Sequence, residues 1–399
     1  MKEAEFYKKK LKNGLTVLFE KRSLPIVSCS ASVKWGAAYE TEENKGISHF
    51  IEHLLFKGTK KRSQKEIATE IEKKGGILNA FTSEEITSFW NKIPSKHLAT
   101  GVDIVSDLIL NPKFDAAEFE KEKQVIIEEI KMYHDNPRLY SPDKIKELLY
   151  KKPFGMSVAG KAEIIRALTR QQVIDIFKTN YTTDSMILCV VGDADFSDVC
   201  EMAEKIYPQT KRQAVEHVPI KKNSEAVEKR KGIDQAHFVF GFHAPAMQQA
   251  ERYNYEVAGA WLFDGMSSRL FQEIREKRGL AYAVKGTFDI GKDYGYCIIY
   301  VGTMKDKIKM VKEIILKEIK ELKNIKQRDF DETKEQLIGN WNLLQEDSTS
   351  VMNALLIEES AGEAEEFYKY GERINSVKIQ DIRKIANLKT YSSFSLLPE

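Results

Sequence analysis

Apolar and polar positions along the first half of the chain recur with two different periods. Residues 14–20 (GLTVLFE) alternate after an Asn13-Gly14 turn, and residues 26–35 alternate again, so both predict strands. Residues 36–46 form a polar, glycine-bounded loop. Residues 47–56 place apolar side chains at helical spacing and end near Gly58. Residues 66–74 predict a second helix, stopped by Gly75-Gly76. Residues 78–81 and 86–93 read as extended. Residues 97–110 predict a helix ended by Asn111-Pro112, and residues 115–133 a longer one. The proline-marked stretch 136–142 predicts a loop. Arg170–Asn180 predicts a helix and Met186–Gly192 a buried strand.

Beyond residue 205 the character changes. Residues 211–232 are polar and charge-rich, follow Pro208 and contain Pro219; they predict a linker region holding a short strand. The order of elements then begins again. A strand at Ala236–His243 precedes a helix at 251–263, and helical stretches follow at 268–277 and 305–322. Extended segments lie between those two, at Ala281–Ile290 and 294–302. Helices close the chain at 331–348 and 351–361. Two halves of similar order predict an α+β fold of two related domains, residues 1–210 and 233–399, each a mostly antiparallel sheet covered by helices. Periodicity alone leaves two explanations open: a degenerate duplication, or coincidence among common α+β patterns.

Composition narrows the class. Lys+Arg number 62 against Asp+Glu 60 in 399 residues, so no global charge favours nucleic acid. The basic stretches 60–62 and 221–231 are short and carry no interleaved aromatics. No apolar run approaches the length of a membrane span, and the first residues show no apolar run followed by a small-residue cleavage site. Cys29, Cys189, Cys200 and Cys297 form no C-x-x-C pair, which fits small core hydrophobes in a reducing compartment. The expectation is a cytoplasmic protein without membrane or nucleic-acid partners. Abundant Lys and Glu hint at heat tolerance.

The candidate chemistry lies in His49-Phe50-Ile51-Glu52-His53. Positions i and i+4 share a helix face, so both imidazoles can meet one ion, and Glu52, at i+3 from His49, shares that edge. Phe50, Ile51, Leu54 and Leu55 supply an apolar wall. A histidine on a helix is commonly a satisfied surface or core group, but H-x-x-E-H is the inverted zinc-peptidase motif. Two histidines are too few for zinc, which wants a third protein ligand. The long helix offers Glu118, Glu120, Glu122, Glu128 and Glu129; Glu122 and Glu129 lie two turns apart on one face, and composition does not choose the face. Asp103 and His97 are weaker candidates, His97 because it follows Pro94-Ser95-Lys96 at an exposed helix start.

Over nearly its whole length the chain resembles the pitrilysin, insulysin and mitochondrial processing peptidase family of zinc peptidases. The likeness rests on GISHFIEHLLFKGTKKRS, GGILNAFTSEEITSFW, the helix segment Val125-Ile126-Ile127-Glu128-Glu129 and KPFGMSVAGKAEII. It implies one zinc ion per chain held by His49, His53 and Glu129, with Glu52 as general base. It further implies that Glu122 supports a ligand imidazole. It makes residues 78–82 (LNAFT) a peptide-binding edge strand, with Asn79 and Ala80 as the contact positions. In the second half it implies that Arg275 grips substrate and that Tyr282, seven residues on, stabilises the oxyanion. The matching region 259–271 (GAWLFDGMSSRLF) has no histidine, and the second domain is expected to lack metal. Phe263-Asp264 stand where many relatives have glycines, a departure expected to alter loop flexibility or the cavity wall. The resemblance therefore implies a zinc endopeptidase that cleaves unfolded peptides inside an enclosed chamber completed by a homodimer. Its alternatives are a precursor-processing peptidase with a related subunit, and a non-catalytic scaffold, which the intact motif disfavours.

Overall fold

The protein is described from a computed structural model over residues 5–212 and 217–399. It forms two compact units, and neither is one continuous stretch of chain. The first takes the chain up to Ile130, Val158–His217 and Leu344–Tyr368; the second takes Lys131–Ser157, Val218–Leu343 and Lys369–Glu399.

The first unit holds strands β1 (Phe6–Lys10), β2 (Thr16–Lys21), β3 (Ile26–Val33), β4 (Ile77–Thr82), β5 (Thr87–Pro94) and β6 (Met186–Gly192), in the order β1-β2-β6-β3-β5-β4. The second holds β7 (Glu225–Arg230), β8 (Ala236–His243), β9 (Ala281–Ile290), β10 (Gly295–Thr303) and β11 (Ser392–Pro398), in the order β7-β11-β8-β10-β9. Neighbours are antiparallel except β2 with β6 and β7 with β11. Without β1, the two sheets have the same connections and the same single parallel pair. Shared topology of that detail goes beyond a common α+β pattern, and the two units are related.

The helices of the first unit include α1 (Ile47–Leu55), α2 (Gln64–Glu72), α3 (Leu98–Leu110) and α4 (Ala116–Asp135). β3 carries Val27, Cys29, Ala31 and Val33 on one face and Ser28, Ser30 and Ser32 on the other, a pattern that by itself predicts a wet serine face. Both faces are buried. The helix Ser348–Ser360 covers the serine side, where Ser28 Oγ lies 2.9 Å from Ser348 Oγ. Small hydroxyls let the helix approach closely; Ser28 finds partners in Ser348 and Thr349, and Ser32 donates to Ser88, while the Ser30 hydroxyl is buried without a partner among the described residues.

The stretch expected as a loop at 136–142 is instead the start of helix α5 (Pro137–Leu149). Asn136 caps it by accepting from the Arg138 N–H at 3.1 Å, and Pro137 occupies the first position, where a missing N–H costs nothing. Pro142 does interrupt the interior, but burial of Ile145 and Leu149 offsets that loss. α5 packs on β8 and β11 of the second sheet. An added Cβ on Gly241 of β8 would lie 2.7 Å from Ile145. Each sheet is thus covered by one helix drawn from the opposite half of the sequence. Among the described residues, no helix is long and apolar enough to cross a membrane.

Candidate metal centre

α1 presents two opposed faces. Ile47, Phe50, Ile51, Leu54 and Leu55 are buried, each worth roughly 1.5–3 kcal/mol. His49, Glu52 and His53 lie on the half-buried side. The helix begins at Gly46, whose φ of 100° suits glycine and few other residues. The buried Glu40 carboxylate lies at this N-terminus and accepts from Gly46 N at 2.9 Å, Ser48 N at 2.7 Å and Ser48 Oγ at 2.6 Å. An anion there satisfies orphan amides and the helix dipole together. Lys45, fully buried, balances its charge at 3.6 Å.

α4 supplies the third donor. Its buried residues Phe119, Glu122, Ile126 and Ile127 select the face that turns inward, which leaves Glu120 and Glu128 exposed and Glu118 paired with Lys121. Glu129 Oε2 lies 3.4 Å from His53 Nε2 and 3.8 Å from His49 Nε2. One donor atom from each of the three residues falls within 4.8 Å of the others. A tetrahedral zinc with bonds of about 2.0–2.2 Å has donor–donor edges of about 3.3–3.6 Å, so the group fits that ion after small adjustments. The donor set, two imidazoles and a carboxylate, is also that of catalytic rather than structural sites. Asp103 is engaged elsewhere, paired with Arg62 and Lys61, and neither it nor His97 joins the group.

Glu122 bridges His53 Nδ1 at 3.2 Å and Lys57 Nζ at 2.8 Å. With Nδ1 donating to Glu122, the Nε2 lone pair of His53 points to the centre. Burial depresses His53 basicity, but the carboxylates of Glu122 and Glu129 outweigh it and lift the imidazolium to about 9. Burial, reinforced by the charge on His53, holds His49 well below its ordinary value. The Nδ1 of His49 is buried without a hydrogen-bond partner among the described residues. Without metal, the centre therefore holds a proton on His53 between two carboxylates, the place where a dication fits. Burial raises the Glu52 carboxyl above its ordinary range, and a hydrogen bond from Thr82 draws it part of the way back.

Asn79 and Ala80 lie on β4, an edge strand of the first sheet. Asn79 is exposed, and its Oδ1 accepts from the Ala80 N–H at 2.8 Å. Arg275 and Tyr282 belong to the second unit and stand together there. The Arg275 guanidinium lies 4.9 Å from the Tyr282 ring centroid and 4.8 Å from that of Phe271. Arg275 occupies a π-helical turn, Phe271–Glu276, and Gly279, three residues past its end, has a φ of 58°, while Tyr282 is 72% exposed on edge strand β9. Phe263 is buried, and its ring covers Gly286 so closely that an added Cβ there would lie 2.1 Å away. Asp264 accepts from Gln336 and Asn340 on the helix Gln327–Leu344. Phe263, the last residue of the helix Arg252–Phe263, is thus accommodated by a glycine on β9, and Asp264 just beyond it is tethered.

Sequence reasoning did not single out Glu40, Lys45, Lys57 or Thr82. Lys57 had a signal, its i+4 spacing from His53. Thr82 had none, because it lies 30 residues from Glu52 and meets it only where β4 packs against α1.

Residues 16–162 match the family model described as insulinase (peptidase family M16), and residues 167–337 match the peptidase M16 inactive domain. A protein of Rickettsia felis described as an uncharacterized zinc protease is 33% identical, covering 99% of this chain and 97% of that protein. The uncharacterized zinc protease YmxG of Bacillus subtilis is 32% identical over 86% of this chain and 85% of its own length. The crystal structure of a protease from Helicobacter pylori shares the fold, with a TM-score of 0.93 at 22% identity, over 99% of this chain and 100% of that one. With two family models spanning most of its length and relatives above 30% identity that cover most of both chains, the chain belongs to the insulinase family of peptidases, family M16.

Proposed function

We propose that the protein is a zinc-dependent endopeptidase acting on unfolded peptides. The observation that carries this reading is the convergence of His49, His53 and Glu129 from two separate helices, with Glu52 beside them. His49, His53 and Glu129 would hold one zinc ion, and Glu122 would fix the His53 ring. Zinc bound there supplies Lewis-acid polarisation of a peptide carbonyl and acidifies water. Glu52 takes the proton from the attacking water and passes it to the departing amine; its lifted basicity suits both transfers. The open edge of β4 at Asn79 and Ala80 receives the substrate backbone as an added strand. That mode reads extended backbone, so folded proteins are poor substrates. Arg275 binds the substrate backbone or its carboxylate side, and Tyr282 donates a hydrogen bond to the developing oxyanion. A homodimer completes the chamber, because the chain carries both the metal-binding motif and the Arg275–Tyr282 pair.

The test combines metal analysis with cleavage of a mixed peptide library, with and without chelator. The expected result is about one zinc per chain and internal cleavage that chelator abolishes. Glu52→Gln should keep the metal and lose about 10²–10⁴-fold in kcat. Cleavage insensitive to chelator, or near-normal turnover in Glu52→Gln, would overturn the reading.

A further inference from the structure

The helix fixes where the Glu52 side chain starts, but not where its carboxylate points. That carboxylate rotates at the end of a flexible side chain, and a base works only when one oxygen is within hydrogen-bond reach of the proton it takes. The structure supplies an external anchor. Thr82 Oγ1 donates to Glu52 Oε2 at 2.5 Å, and among the described residues it is the only hydrogen-bond partner of that carboxylate. Thr82 is itself held firmly: it is the last residue of β4, paired with Thr87 of β5, and its branched side chain has few χ1 options. The anchor occupies Oε2, and Oε1 has no hydrogen-bond partner among the described residues.

We propose that Thr82 is a positioning residue that fixes Glu52 through Oε2 and so directs Oε1 toward the attacking water. This rests on Glu52 being the base. The geometry also ties the anchor to substrate binding, since Thr82 lies three residues beyond Asn79 on the proposed peptide-receiving edge. One strand thus aligns the substrate and aims the base.

The test uses the full chain with Thr82→Val, which keeps the shape and removes the hydroxyl, and Thr82→Ser, which keeps the hydroxyl. Thr82→Val should lower kcat about 10–100-fold, as small misplacements of catalytic groups do, with KM and zinc content unchanged. Thr82→Ser should recover most of the loss. In a Glu52→Gln background, Thr82→Val should cost nothing further, because the two act as a unit. Crystal structures of the metal-free variants give a readout independent of turnover: the Glu52 carboxylate should turn away in Thr82→Val and stay in place in Thr82→Ser. Wild-type kcat in Thr82→Val, equal losses in Val and Ser variants, or an unmoved carboxylate would overturn the proposal. If Thr82→Val is normal while Glu52→Gln is inactive, this inference alone falls. If Glu52→Gln is active, the functional reading falls and takes this one with it.

Discussion

A single carboxylate, Glu122, does two things at the centre: it neutralises Lys57 and it sets which nitrogen of His53 carries the proton. Glu122→Gln should therefore weaken zinc binding about 10–100-fold by chelator competition, with little change in the fold. An unchanged affinity would remove Glu122 from the site. In the second unit, Lys277 and Arg278 hold the buried Glu273 carboxyl at about 2, below its ordinary 4.5. A depressed folded value means stability that is complete above the unfolded pKa and lost as pH falls through the folded one. The gap in Tm between wild type and Glu273→Gln should therefore narrow between pH 4.5 and about 2. A gap independent of pH would show that the ion pairs contribute nothing to this turn.

Among the elements, α1 depends on close backbone contact at its start. Gly160, with φ 75°, sits so near that an added Cβ would lie 2.2 Å from the Lys45 carbonyl oxygen, and one on Gly46 would lie 2.7 Å from that of Ala159. Gly160→Ala should cost about 1–3 kcal/mol in urea unfolding, through both backbone strain and crowding. It should also lower zinc content, because the displaced segment leads into the helix that bears His49 and His53. Full stability and full metal content would show that the contact is not needed. At this scale α1 was legible because its apolar and polar positions separate cleanly on a helix. α5 was not: two prolines in 136–142 are a sound local signal for a loop, and packing on a sheet far along the chain overrides it.

For the whole molecule, the two sheets repeat one topology, and the first unit's edge strand β4 corresponds to β9 in the second. The proposed homodimer makes a distinct prediction about Glu52 and Tyr282. If each site draws Glu52 from one chain and Tyr282 from another, mixing Glu52→Gln chains with Tyr282→Phe chains restores intact sites. Random mixing makes about half of the dimers hybrid with one restored site each, so activity should return to about a quarter of wild type. Activity that stays at the level of the two variants alone would remove the shared-site reading.

Periodicity and spacing determined that α1 is a helix, that His49, Glu52 and His53 share its polar edge, and that two α+β halves follow each other. These are local properties, set by residues within a few turns or a strand of one another. Tertiary packing decided which glutamates of α4 face that edge, which hydroxyl holds the base, and which helix covers the serine side of β3. Each of those outcomes joins groups from tens to hundreds of residues apart. No local pattern carries them, because the free energy that selects them comes from burying both partners at once.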